Sequence, residues 1–219
     1  HVVTLEPAGQ ETVRLVIQVA QDMMFEPGQY VHLQPVGRDV VRSYSMSNAP
    51  GSNTLEFFIR QVPNGAFSTW LKDAQVGDAV QVGAPRGTFF LRHEDRPRLM
   101  VAGGTGLAPF LAMLRQARGT QNISTTLIVG ARTPAHLVAQ QVLQDLASEL
   151  PGLTVYQVVE EGALPGGEQG YPTDLIARCS LDPATRVYLC GPPPMVEAGR
   201  KAVQAVGLKA ADVLCERFT

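Results

Sequence analysis

Residues 99–110 constrain what this chain can fold into more than any other stretch. Leu99, Met100, Val101 and Ala102 form an apolar run, Gly103, Gly104, Thr105 and Gly106 turn the chain, and a second apolar run begins at Leu107. The order buried strand, tight turn, helix start points the first helical N–H groups at whatever lies above the turn, where the helix dipole favours an anion. Glycine tolerates positive φ and lets a ligand approach the backbone closely. Pro109 suits a first helical turn, where its missing N–H costs nothing. From Gly104 to Pro109 the pattern is G-x-G-x-x-P, without the last glycine of the G-x-G-x-x-G dinucleotide fingerprint. Alone it fits an ordinary glycine-rich strand–helix turn equally well, so the flanking sequence has to decide.

The 219 residues suffice for one large domain or two of about 100. With 45% hydrophobic and 17% charged residues the chain is globular rather than disordered. A net charge of −2 argues against a nucleic-acid binder held by phosphate contacts, and no apolar run approaches the roughly 20 residues of a membrane span. Cys179, Cys190 and Cys215 lack metal-ligand or disulfide spacing, and His1, His32, His93 and His136 form no i, i+4 pair. No metal site is therefore expected, and a reducing cytoplasm is the expected setting.

Before residue 95 the chain reads as short strands at 12–19, 25–33, 40–46, 55–61 and 79–82, with strand-like sequence almost directly after His1. One helix, 65–71, interrupts them, with Asn64 as its expected cap. Short strands separated by turn signals predict a small antiparallel barrel. The period then changes to strand–helix alternation, with strands at 99–102, 124–130, 154–159, 186–190 and 213–215. Helices are expected at 108–118, 135–150, 172–178 and 194–206. That alternation predicts a parallel sheet covered on both faces. Glu94-Asp95-Arg96-Pro97 marks the boundary, giving domains at 1–95 and 96–219.

Four further stretches carry chemistry. Arg42-Ser43-Tyr44-Ser45 sets a cation, an aromatic ring and hydroxyls on one short strand; the plainer reading is a polar barrel strand. Ile59-Arg60, followed by Gly65-Ala66-Phe67-Ser68, offers a second helix start able to hold an anion, compatible with a helix that simply plugs the barrel. Cys190-Gly191-Pro192 ends an apolar strand before Met195, so Cys190 would reach the crevice at the carboxyl ends of the strands; a buried structural cysteine is the commoner fate. No Lys, Arg or His flanks it, so a nucleophilic role is not expected. Glu216 follows the last strand, and Phe218 is free to stack on a planar ligand unless the tail simply frays.

Taken with the glycine turn, these stretches resemble the ferredoxin–NADP reductase superfamily. R-x-Y-S at 42–45, G-x-x-S at 65–68, G-G-T-G-x-A-P at 103–109, C-G-P-x-P-M at 190–195 and E-x-F at 216–218 stand in that family's order and spacing. Within it, residues 188–192, 194–198 and 87–92 are similar to the reductase components of Rieske aromatic-ring dioxygenases of the benzoate and anthranilate type.

The resemblance implies two domains: an N-terminal six-stranded antiparallel β-barrel that binds flavin and carries one helix, and a C-terminal α/β parallel-sheet nucleotide-binding domain. The cofactors would be FAD and NADH. Arg42, with Ser43 beside it, would hold FAD phosphates, Tyr44 would pack on the isoalloxazine, and Ser45 would hydrogen-bond near flavin N5. The segments Ile59-Arg60 and Gly65-Ala66-Phe67-Ser68 would bind the pyrophosphate. Gly103, Gly104, Thr105, Gly106 and Pro109 would cradle the nicotinamide dinucleotide, with Gly130 and Arg132 towards its ribose and Cys190, Gly191, Pro192, Met195 and Glu216 around the nicotinamide. Phe218 would shield one flavin face, and Ser45, Cys190 and Glu216 would form the catalytic set. Arg132 leans towards a ribose 2′-phosphate, yet the resembling subgroup uses NADH, which is the expectation kept. These relatives carry a [2Fe–2S] ferredoxin domain, which the benzoate type places before the barrel. The chain is therefore expected to be a piece of a longer protein, or to use a separate ferredoxin, and to feed a Rieske oxygenase. Two rivals remain: a free-standing NAD(P)H flavin or ferric reductase, and a nucleotide-binding module without turnover.

Overall fold

A computed structural model describes residues 1–118 and 123–218. The first part holds β1 (Val2–Pro7), β2 (Thr12–Met23), β3 (Tyr30–Pro35), β4 (Arg42–Ser45) and β5 (Ser52–Arg60), then α1 (Ala66–Asp73) and β6 (Val80–Val82). The second holds β7 (Arg98–Gly103), α2 (Ala108–Gln116), β8 (Thr125–Ala131), α3 (Gln140–Glu149), β9 (Leu153–Val159), β10 (Glu168–Gln169), β11 (Arg186–Gly191), α4 (Pro193–Ala205) and β12 (Val213–Arg217). Among the described residues no helix is long and apolar enough to cross a membrane.

The chain divides into two compact units, 1–91 with 108–116, and 92–107 with 117–219. Compactness thus cuts the chain differently from the boundary at 95 and 96. Helix α2 follows the glycine turn in sequence but packs with the first unit. Every residue from Ala108 to Leu114 is buried, the mark of a helix surrounded by protein. Its Phe110 ring lies edge-on to Phe89 with centroids 5.9 Å apart.

In the first unit six strands form two antiparallel sheets, β1-β2-β5 and β4-β3-β6, as the barrel expectation requires. Alternation does the work: Val31 and Leu33 of β3 turn inward while Tyr30 and His32 stay half-exposed. Leu15, Ile17, Leu55, Phe57 and Ile59 face them across one shared core, plugged by Phe67, Trp70 and Leu71 of α1. Strand β1 was legible only as strand-like sequence; its pairing with β2, Leu5 opposite Leu15, makes it a full member.

Asn64 is not the cap of α1. It adopts φ 59° as a turn residue, Gly65 occupies the cap position, and no side-chain cap bond forms. Instead the Val62 N–H donates to Ser68 Oγ at 2.8 Å, closing the loop from the other direction.

The second unit is a six-stranded parallel sheet in the order β10-β9-β8-β7-β11-β12. Strands β7 and β11 are apolar runs buried on both faces, as a covered parallel sheet demands. The chain moves outward from β7 through β8, β9 and β10, then returns to the other side of β7 as β11 and β12. Strand order therefore reverses between β7 and β11, where open α/β sheets bind ligands outside the carboxyl ends. At the opposite ends, Glu94, Arg96, Arg186 and Asp212 form linked ion pairs of 2.8–3.4 Å.

The helix expected at 135–150 is shorter. Pro134–His136 is a 3-10 turn, Leu137 and Val138 are buried in extended chain, Ala139 takes φ 53°, and only then does α3 begin. Burial of two apolar side chains overrides local helix preference there. Strand β12 runs two residues further than expected, so Glu216 lies within a strand rather than after one.

Candidate functional site

The first unit brings two of the sequence motifs together. Strand β4 pairs with β3, Tyr44 opposite Val31 and Ser45 opposite Tyr30. Arg42 and Ser43 are exposed, Tyr44 is half-buried and Ser45 is buried. The Tyr44 ring lies 5.0 Å from that of Phe67, which joins β4 to the first turn of α1. Burial pushes the Tyr44 phenol well up, against an opposing pull from Arg42, so it stays protonated at neutral pH. The Arg42 guanidinium donates to the neighbouring Val41 carbonyl, a neutral partner, at 2.8 Å. Ser43 Oγ lies 3.0 Å from His32 Nδ1.

Ile59 belongs to the core at 1% exposure, so its side chain is unavailable to a ligand. Arg60 is exposed and pairs with Glu11 at 3.3 Å. Ala66 is exposed, Phe67 is buried, and Ser68 keeps its hydroxyl proton while accepting from Val62. An exposed cation on β4, a half-buried aromatic ring and a helix start beside it fit a flavin nucleotide, with a flat apolar ring at one end and phosphates at the other.

In the second unit the carboxyl ends of β7, β11 and β12 converge. Cys190 stands in register with Ala102 on one side and Glu216 on the other, and Gly191 with Arg217. The Phe218 N–H donates to the Gly191 carbonyl at 3.0 Å, which fixes the tail along β11. The glycine turn packs on this segment with no room for side chains. A Cβ on Gly106 would lie 2.3 Å from the Cys190 carbonyl oxygen, and one on Gly103 would lie 2.6 Å from Met195 Sδ and 3.0 Å from Pro192 Cδ. Gly104 differs: its φ is +55° and nothing lies within 4 Å of a Cβ placed there. Gly103 and Gly106 therefore serve packing, while Gly104 and half-exposed Thr105 leave backbone open to a phosphate. Pro109 is buried in the first turn of α2.

Cys190 has no exposed surface. Burial raises its thiol pKa well above the ordinary value, and Glu216 and Cys215 push it further the same way. It is a neutral thiol at physiological pH, without the thiolate a nucleophile needs. Gly130, the last residue but one of β8, stands in register with Gly103, and Pro172 packs where its Cβ would be. Arg132 is exposed; its Nη2 lies 3.3 Å from His136 Nε2, and Thr133 Oγ1 lies 2.8 Å from His136 Nδ1.

Sequence reasoning passed over Glu56 and Arg115. Glu56 is 7% exposed inside β5 and is held by Arg14 Nε at 2.7 Å, Arg115 Nη1 at 2.5 Å and Ser47 Oγ at 2.7 Å. Burial pushes its pKa up, but the two guanidiniums and the serine more than reverse this and leave it low. The signal was present: a carboxylate within the apolar run 55–59, and an arginine near the end of a helix otherwise without charge.

Known proteins agree with both halves. Residues 4–91 match the oxidoreductase FAD-binding domain family and residues 100–201 the oxidoreductase NAD-binding domain family. The toluate 1,2-dioxygenase electron transfer component of Pseudomonas putida is 38% identical over 95% of this chain and 64% of its own length. The ferredoxin–NAD(P)+ reductase component of the naphthalene 1,2-dioxygenase/salicylate 5-hydroxylase systems of Ralstonia is 38% identical, over 99% of this chain and 67% of its own length. A crystal structure of an Amycolatopsis cytochrome P450 reductase superposes with TM-score 0.93 at 32% identity, covering 100% of this chain and 68% of that one. The chain spans 60–64% of the length of three curated dioxygenase electron transfer components that it matches. With an FAD-binding and an NAD-binding oxidoreductase domain in this order, the chain belongs to the ferredoxin–NADP reductase family.

Proposed function

We propose that this chain is an NADH-dependent flavoprotein reductase, with its FAD domain at 1–95 and its nucleotide domain at 96–219. It would pass electrons one at a time to a [2Fe–2S] centre, on a ferredoxin domain or separate protein, that feeds a Rieske-type aromatic-ring oxygenase in the cytoplasm. The observation that carries the reading is the meeting of Cys190, Glu216 and the turn after β7 at the switch point of a parallel sheet, in a chain whose other unit packs Tyr44, two residues after Arg42, against Phe67 at the start of α1.

FAD would supply the redox chemistry, accepting two electrons as a hydride and releasing them singly. The chain's task is placement. Arg42 and Arg60 bring positive charge to the FAD phosphates, and the Ser68 hydroxyl proton, with N–H groups at the start of α1, donates to their oxygens. Tyr44 would pack against the isoalloxazine and Ser45 would lie near flavin N5. Gly104 and Thr105 would present backbone N–H groups to the nucleotide phosphates. Cys190 would set the nicotinamide position by bulk, and Glu216 would supply a carboxylate beside it.

NADH rather than NADPH is supported by Glu160 and Glu161. Their N–H groups donate to the carbonyls of Ala131 and Arg132 at 3.1 and 2.8 Å, so two acidic residues follow β9 beside Arg132. That carboxylate charge opposes a ribose 2′-phosphate. A second reading, another one-electron acceptor for the same flavin, is favoured by the likeness to a cytochrome P450 reductase. Steady-state NADH oxidation by the FAD-loaded chain, with a [2Fe–2S] ferredoxin and with ferricyanide as acceptors, tests the proposal. Turnover with both supports it. Turnover with ferricyanide alone leaves the second reading, and turnover with neither overturns both.

A further inference from the structure

Glu56 and Arg115 make a clasp that nothing in the reductase chemistry above requires. Strand β5 is buried on both faces from Leu55 to Ile59. Leu55, Phe57 and Ile59 point into the barrel core, which leaves Glu56 and Phe58 on the opposite face. Arg115, in the last turn of α2, reaches that face with one nitrogen: Nη1 donates to Glu56 Oε1 at 2.5 Å and to the Ser47 carbonyl at 2.7 Å. The side chains are 16% and 9% exposed, so the pair is largely shielded from solvent and salt. Ser47 Oγ and the Asn48 side-chain carbonyl complete the setting, on Glu56 Oε1 and the Glu56 N–H respectively.

The turn Gly104–Leu107 runs into α2 with no residue between them. Whatever fixes α2 also fixes the direction in which the chain leaves that turn. We propose that the Glu56–Arg115 clasp is a positioning device: by locking α2 onto β5 it restrains the glycine turn that runs directly into α2, and with it the nucleotide that the turn would hold. The proposal rests on the reading of that turn as the nucleotide cradle. Glu56 and Arg115 are largely buried against each other and would act only through α2.

The test uses the FAD-loaded chain and its Arg115→Met and Arg115→Lys variants. In Arg115→Met the Glu56 carboxylate keeps Arg14 and Ser47 as partners, and circular dichroism and the flavin absorption check that the variant is folded and FAD-loaded. Two readouts are taken: amide hydrogen exchange of residues 103–110 without nucleotide, and single-turnover reduction of the flavin by NADH and, separately, by dithionite. The expected result for Arg115→Met is exchange in the turn raised about tenfold or more, and NADH reduction slowed about 10- to 100-fold, as misplacement of a reacting group by about 1 Å does. NADH affinity and dithionite reduction should stay within about threefold of wild type. Arg115→Lys, which keeps the charge, should recover most of both losses; if the methionine variant does not fold, Arg115→Gln, which loses the charge but keeps a donor for the Ser47 carbonyl, replaces it with the same expected losses. Exchange and NADH reduction within twofold of wild type in both variants would overturn the clasp. A wild-type chain that dithionite reduces and NADH does not would sink the reductase reading, while hydrogen exchange still decides the clasp.

Discussion

Gly106→Ala separates packing from ligand approach at the glycine turn. The new methyl carbon would lie 2.3 Å from the Cys190 carbonyl oxygen, 2.7 Å from its carbon and 3.0 Å from Gly191 Cα. All three are backbone atoms of β11, which is hydrogen-bonded to β7 on one side and β12 on the other. No flexible side chain can give way, so the strand or the turn must move. Overpacking of this kind costs about 1–3 kcal/mol, and in a chain of this length each kcal/mol is worth about 2–4 °C. The melting temperature by circular dichroism should therefore fall by about 2–12 °C. Gly104→Ala is the contrasting variant, with no atom within 4 Å of the new methyl and only its φ of +55° to accommodate. Its larger effect should be on nucleotide binding. A Gly106→Ala protein that melts within 1 °C of wild type would refute the packing argument.

Arg42→Ala should weaken FAD binding about 10- to 100-fold, measured by flavin fluorescence quenching, since a charged hydrogen bond is worth about 1.5–3 kcal/mol; unchanged affinity would remove Arg42 from the site. Cys190, buried and pushed up by burial and then by Glu216 and Cys215, should resist iodoacetamide at pH 8 until the protein is unfolded, as mass spectrometry would show. Glu56 has a depressed pKa, so its contribution is present above the ordinary carboxylate value of about 4.3 and is lost as pH falls through its lower folded value. Glu56→Gln should thus cost about 3 kcal/mol at pH 7 in urea unfolding, the scale for breaking a buried pair, with the difference shrinking at pH 3.

Alternation made the first unit legible, because β3 and β5 bury every second residue against one core. The change to strand–helix period made the second unit legible, and the glycine turn and the segment 190–195 were found because only glycine fits where two backbones touch. What escaped was set by tertiary context. The break before α3 comes from burying Leu137 and Val138, which no local rule announces. The affiliation of α2 with the first unit depends on Phe110 and Arg115 meeting partners far away in sequence, Phe89 and Glu56. Asn64 fits both a cap and a left-handed turn, and sequence alone chose the wrong one.

The FAD-binding and NAD-binding domains of this chain should together make a working NADH–flavin reductase. An anaerobic titration of the FAD-loaded chain with NADH, followed by the visible absorption of the flavin, tests this. Complete bleaching by a stoichiometric amount of NADH, with poor bleaching by NADPH, is the expected result. A flavin that dithionite bleaches and NADH leaves oxidised would contradict it.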